Sequence, residues 1–247
     1  MIDIDSLTTR NNKKVLGASI FGDVTGFTNY IDSAQTDEKK QEALRVLHAI
    51  RREMATVIVK DHEGIRVQYQ GDRVQGLFHV PKDDDEKIAT DAVEAAISLQ
   101  SSMEKTLKKK LPEATDLRLA VGVDMDSTLV SKLGTRAHRD RICLGEPVES
   151  AAANEEKCSG GKIGVSKRIY DALPERLRKH FAYNSEAICY VASDLTWDKV
   201  EQAERSLAYA AGAPIFLRSS NSTIEVTHEE SRSARSITPS KSWSDER

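Results

Sequence analysis

With 247 residues, the chain can bury one sizeable core and carry an appendage. Hydrophobic residues make up 39% and charged residues 30%, and the net charge of -3 excludes a global positive field that would recruit nucleic acid or anionic lipid. No apolar run is long enough to span a bilayer, and MIDIDSLTTR carries acidic residues where a signal peptide needs basic ones, so a cytoplasmic protein with no membrane partner is expected.

Residues 1–14 read as an N-terminal extension. Gly17 to Val24 is apolar around one carboxylate, Asp23, and predicts a buried strand. Beyond Thr25-Gly26-Phe27-Thr28, Leu44, Leu47, Ile50, Met54 and Val57 recur at three-to-four spacing and predict a helix with that stripe facing the core. Gly64 to Val80 predicts two strands folded over Gln70-Gly71-Asp72-Arg73. Pro81 and the run Asp83 to Glu86 open a second helix, where carboxylates suit the dipole, with a stripe through Ile88, Ala92, Ala96, Leu99, Met103 and Leu107. Leu117 to Asp124 reads as a strand, paired with a second strand at Thr128 to Leu133. A short helix near Pro147 to Lys157, a strand at Lys162 to Val165 and a helix from Ser166 to Leu173, capped by Ser166, complete a domain spanning 15–192.

The fold class expected is α/β (α+β), a sandwich whose sheet is mixed or antiparallel, because the Gly64 to Val80 hairpin is antiparallel. An extension at 193–218 holds a helix over Trp197 to Ala211 and a strand over Pro214 to Leu217. From Ser219 onward, the chain is rich in Ser, Arg and Glu and too poor in apolar residues to repay its ordering entropy, so 219–247 reads as a flexible tail.

Two carboxylates carry the chemical argument. Asp23 lies at the end of an apolar strand, before a turn of small residues whose backbone N–H groups suit phosphate. Taken alone, it reads more readily as a helix cap. Asp72 follows Gly71 in a hairpin turn, and Gly-Asp is a common turn dipeptide. Together, a strand-end carboxylate and a hairpin-tip carboxylate can share two divalent ions about 4 Å apart, the arrangement that assists in-line displacement at phosphorus. Oxygen ligands of this kind suit Mn2+ or Mg2+.

These segments resemble class III adenylate and guanylate cyclases. Phe21-Gly22-Asp23-Val24-Thr25-Gly26-Phe27-Thr28 resembles the family's first metal motif, and Tyr69-Gln70-Gly71-Asp72 with Val74 to Phe78 resembles its second metal hairpin. Val121 to Asp124, Thr128 to Gly134, Leu144 to Ala151 and Gly161 to Leu173 follow in the family's order, so the resemblance covers roughly residues 15 to 192. It implies a ferredoxin-like palm domain working as a homodimer with shared sites. One chain would give Asp23, the Val24 carbonyl and Asp72 to two ions per site. The turn at Phe21, Thr25, Gly26, Phe27 and Thr28 would hold the β- and γ-phosphates.

The departures from that pattern narrow the substrate. The family's purine-reading lysine or glutamate is Gln68 here, and its partner is Ile142, which offers no hydrogen bond. This combination resembles the pyrimidine cyclases of the bacterial anti-phage system known as Pycsar, whose cyclic UMP or cyclic CMP is read by a separate effector. UTP is expected above CTP. An adenylate cyclase with an atypical pocket and a catalytically inactive regulatory homologue are the alternatives. The family's ribose- and phosphate-steadying asparagine and arginine fall on Glu149 and Ala153, with Asn154 one position off. Arg136, Arg139 and Arg141, in a basic turn from Gly134 to Arg141, are candidates for the missing cation. That turn reads equally well as a solvated loop.

Three other features have ordinary readings. Cys143, Cys158 and Cys189 lack metal-ligand spacing and read as reduced thiols. His48 reads as a surface or packing residue, and Lys108-Lys109-Lys110 as a helix end.

Overall fold

The computed structural model describes residues 2–135, 138–210, 215–219 and 222–226. In chain order the strands are β1 (Lys13–Thr25), β2 (Ile65–Gln70), β3 (Arg73–Phe78), β4 (Arg118–Thr135), β5 (His138–Leu144), β6 (Lys162–Val165), β7 (Ala182–Asn184), β8 (Cys189–Ser193), β9 (Ile215–Ser219) and β10 (Ser222–Val226). The helices are α1 (Phe27–Asp32), α2 (Asp37–Thr56), α3 (Asp85–Ser102), α4 (Lys108–Lys110), α5 (Glu146–Lys157), α6 (Lys167–Ala172), α7 (Glu175–Arg178) and α8 (Trp197–Ala210). Two compact units divide the chain, Met1–Trp197 and Asp198–Arg247. In the second unit, α8 runs on from Trp197 and β9 pairs with β10 in an antiparallel hairpin.

The first unit is built on an eight-stranded mixed sheet in the order β2-β3-β1-β4-β6-β8-β7, with β5 paired to β4. Only the β4–β6 pairing is parallel among those described. This is the α/β class that the sequence indicates. One face lies under α2 and α3, where Gly22 sits within van der Waals reach of Met54 and Leu99. The other face receives α5. Gly122 makes that contact close, since a methyl group there would lie 2.1 Å from the Ala151 carbonyl oxygen and 2.4 Å from the Glu155 nitrogen.

Several sequence expectations hold at residue level. The β2–β3 hairpin turns at Gly71, whose φ of 63° explains the glycine. Ser166 caps α6 as expected, and the acidic run opens α3, where Asp84 is the cap; each accepts a backbone N–H three residues on. The stripe from Ile88 to Leu107 is buried throughout, and the three cysteines are free and buried.

Four expectations need correction. The buried stripe of α2 is Ala43, Val46, Ile50 and Met54, and Leu44 is 66% exposed. Neighbouring residues lie about 100° apart around a helix, so two overlapping stripes fit the same spacing, and packing selected the other. Thr128 to Leu133 does not fold back on Leu117 to Asp124. Both belong to β4, which stays straight because β1 pairs along it from Thr25↔Arg118 to Lys13↔Val130. Its hairpin partner is β5, so His138 to Arg141 are strand residues and not a loop. Residues 1–14 are not a mere extension, since Ile4 and Leu7 are buried with Val67, Leu77, Val130 and Cys143, and β1 begins at Lys13. Ser222–Val226, assigned to the tail, forms β10; the rest of 227–247 lies outside the described residues.

Gly122→Ala should force α5 off the sheet and lower unfolding free energy by about 1–3 kcal/mol, as overpacking does. Urea titration against wild type measures this, and an unchanged midpoint would contradict so close a contact.

Candidate active site

Asp23 sits near the end of β1, opposite Ala120 of β4, and its carboxylate accepts the Val24 backbone N–H. Asp72 occupies the β2–β3 turn beside it. Both are half-buried. Burial pushes the Asp23 carboxyl above the usual carboxylate range, opposed by the Arg73 guanidinium. Asp72 is pushed up by burial and then by the Asp23 charge. The two aspartates are therefore electrostatic neighbours, as the two-carboxylate reading requires.

Arg73 and Glu155 complete this cluster, and sequence reasoning passed over both. Arg73 Nη2 lies 2.6 Å from Glu155 Oε2 and donates to the Ala152 carbonyl at 3.3 Å. Its guanidinium lies over the Phe21 ring, 4.5 Å from the centroid. Glu155, on the buried side of α5, is pushed up to about 7, chiefly by burial, with Arg73 opposing and Asp23 adding repulsion. Signals existed in the sequence. Arg73 alternates with Gln75 on one strand face, and Glu155 follows Ala151 by one helical turn.

The register places the remaining residues. Gln68 is opposite Gln75, Gln75 is opposite Phe21, and Phe21 is two positions from Asp23. Strand alternation puts all of these side chains on the α5 face of the sheet. Gln68 Nε2 donates to Gln75 Oε1 at 3.2 Å. Ile142 is half-buried on β5, whose Arg141 donates to the Arg66 carbonyl of β2 at 2.9 Å, so Gln68 and Ile142 lie on adjoining segments. In the turn after β1, Thr25, Gly26 and Thr28 are exposed, but Phe21 and Phe27 are buried, so only their backbone could face a phosphate.

The cation candidates fare unequally. Arg141 grips Asp5 through Nη2 at 2.7 Å and Nε at 3.2 Å, and is committed to the N-terminal segment. Arg139 is exposed on β5, and Arg136 lies outside the described residues. Glu149 is exposed, and Asn154 donates its amide to the Val123 carbonyl, turned into the sheet. A groove of about 710 Å³ lined by Leu47, Arg51, Arg66 and Tyr69, among others, contains neither aspartate.

Residues 13–202 match the model of the adenylate and guanylate cyclase catalytic domain. The chain belongs to that family. It is 33% identical over 232 residues to a uridylate cyclase of Pseudomonas aeruginosa, covering 87% of this chain and 44% of that protein. It is 28% identical over 185 residues to a uridylate cyclase of Rhizobium, covering 73% and 35%. The chain thus spans less than half the length of either. Among solved structures, a class III adenylyl cyclase-like ATP-binding protein from P. aeruginosa superposes with a TM-score of 0.71 at 30% identity, covering 82% of this chain and 43% of that one.

Class III cyclases generally use divalent metal ions. The donor set of this cyclase domain fits such an ion. Asp23 and Asp72 are neighbouring hard oxygen donors whose charges repel one another. Among the described residues no group of three or more His, Cys, Asp or Glu could hold a metal ion by itself. Two carboxylates plus substrate phosphates are the usual complement for magnesium. No helix among the described residues is long and apolar enough to cross a membrane.

Glu155 sets a pH test. Its folded pKa of about 7 exceeds the ordinary 4.5, so it stabilises the fold below about pH 4.5 relative to higher pH, and that contribution is lost as pH rises through 7. Glu155→Gln removes this titration. Between pH 5 and 8, wild type should lose roughly 1–3 kcal/mol relative to the variant. Parallel denaturation curves across that range would place Glu155 in an ordinary environment.

Proposed function

We propose that the chain is a pyrimidine nucleotide cyclase that converts UTP, and less readily CTP, to the 3′,5′-cyclic monophosphate and pyrophosphate. The observation that carries this reading is the pairing of two neighbouring carboxylates, Asp23 and Asp72, with Gln68 and Ile142 where the family keeps purine-reading groups. The names of the relatives support it. Adenylate cyclase is the second reading, favoured by the ATP binding stated for the P. aeruginosa structure. The product would act as a messenger read by a separate effector in anti-phage defence.

Two ions per site, Mn2+ or Mg2+, would supply charge neutralisation and acidify the substrate's 3′-hydroxyl. Asp23, Asp72 and the Val24 carbonyl would hold those ions at the end of β1, and the backbone of 25–28 would face the β- and γ-phosphates. The 3′-oxygen attacks the α-phosphorus in line, and pyrophosphate leaves. Gln68 and Ile142 line the base pocket, in this reading on the other chain of a homodimer.

Chromatography of products from mixed ATP, GTP, CTP and UTP with manganese should show cyclic UMP as the main product. Cyclic AMP or cyclic GMP as the main product would replace this reading. Asp23→Ala and Asp72→Ala should each abolish turnover. Neither should lower the melting temperature without metal, because each removes a carboxylate whose ionisation burial disfavours. Near-wild-type activity in either variant would break the two-metal assignment. An Asp23→Ala chain mixed with a chain blocked by bulky groups at Gln68 and Ile142 should regain activity, approaching about half the wild-type rate per heterodimer. No recovery from verified heterodimers would place each site within one chain, an arrangement the shared sheet face of Asp23 and Gln68 also permits.

A further inference from the structure

Helix α2 carries two apolar stripes, and the core uses one of them. Ala43, Val46, Ile50 and Met54 are buried, whereas Leu44 is 66% exposed and Leu47 is half-buried. Leu44, Leu47, Arg51, Ala55 and Val59 recur at three-to-four spacing and form one wall of the groove of about 710 Å³. At 1.5 Å per residue that wall runs for roughly 20 Å. The other wall is β2. A bulge between Arg66 and Gln68 sets Arg66 opposite Gly76 and Tyr69 opposite Val74, so both face α2 while Gln68 faces α5. The Tyr69 hydroxyl donates to the Arg51 carbonyl at 2.9 Å and ties the two walls together. Arg51, Arg52, Lys60 and Arg66 line the groove, and among the described residues no carboxylate does, although the chain carries a net charge of -3. The Arg51 and Arg66 guanidinium groups lie over the Tyr69 ring, 4.1 and 4.7 Å from its centroid, so an aromatic face stands where a counter-ion would be expected.

We propose that this groove receives an acidic amphipathic helix of a partner protein. Its apolar stripe would lie against Leu44, Leu47 and Val59, and its carboxylates would meet Arg51, Arg52, Lys60 and Arg66. A long apolar strip rimmed by charge of one sign is a surface for a partner of the opposite sign. A straight wall of this length matches a helix of about fourteen residues, better than a compact ligand. Lying beside α2, the added helix would continue the helical layer over β2, the end strand of the sheet. A second copy presenting the same face would set these cations against their own equivalents, so charge disfavours self-pairing here. The groove is on the face of β2 opposite Gln68, apart from the two aspartates.

The probe is a synthetic helix of about eighteen residues, with leucine at three-to-four spacing and glutamate on the flanking positions, read by fluorescence anisotropy. It should bind the full chain at least about tenfold more tightly than a peptide of the same composition in scrambled order, and added salt should weaken it. Leu44→Asp and Arg52→Glu, both at exposed positions, should each weaken binding about tenfold, with circular dichroism showing that each variant is folded. Equal binding of the ordered and scrambled peptides overturns the proposal. So does binding that either substitution leaves unchanged. Two further measurements test other occupants. Sedimentation equilibrium that shows self-association lost in Leu44→Asp would make this face an interface between copies. Co-sedimentation with phosphatidylserine vesicles that is lost in Arg52→Glu would make it a membrane contact. Either result overturns the proposal.

Discussion

Thirteen consecutive residue pairs join β1 to β4, from Lys13 opposite Val130 to Thr25 opposite Arg118, and the site hangs from this ladder. It puts Asp23 opposite Ala120 and Phe21 opposite Gly122, on the face where α5 approaches. A slip of one residue would turn Asp23 to the face covered by α2 and α3, where an unpaired carboxylate is costly. The buried apolar side chains Ala18, Ile20 and Val24 fix the register against such a slip. Placement of the carboxylate is therefore set by hydrophobic burial along the whole strand, and no local motif does it alone.

The Arg73–Glu155 pair is the second constraint, and it is electrostatic. A buried ion pair is a weak source of net stability, because desolvation offsets much of the attraction. Its consequence here is geometric. Arg73 follows Asp72 directly, so holding its guanidinium between Glu155 and the Phe21 ring ties the hairpin tip to α5. Asp72 is then presented beside Asp23 by a hairpin that cannot swing freely. The same arginine opposes the effect of burial on both Asp23 and Glu155.

Much of this was legible in the sequence, and what was missed shares a cause. The hairpin at Gly71, the caps at Asp84 and Ser166 and the stripe of α3 depend on residues close in sequence, and each appears where local rules put it. The stripe of α2, the straight run of β4 and the anchoring of Ile4 and Leu7 depend on partners far along the chain. The reversal expected between Asp124 and Thr128 gives way to the length of β1, and the Asp124 and Asp126 carboxylates each accept the next backbone N–H. At the site, the two aspartates were readable from position alone. For Arg73 and Glu155 periodicity gave only their faces, because an arginine after a turn and a glutamate in a helix meet only when Gly122 lets α5 close on the sheet.

Unpaired polar atoms point to that same face. Ser19 Oγ, Arg73 Nε and Gln75 Nε2 are buried without hydrogen-bond partners, and register and alternation place all three side chains beside Phe21 and Asp23. Each such atom costs stability, and a fold selected for stability alone would pair or replace them. Of these, Gln75 lies against Gln68, one of the two residues that differ from the purine-reading pattern. The opposite face is lined by Ile20, Val74, Gly76, Val121 and Val123 and packs under α2 and α3. One face of the sheet thus carries the fold, and the other carries the neighbouring aspartates together with these unpaired polar atoms.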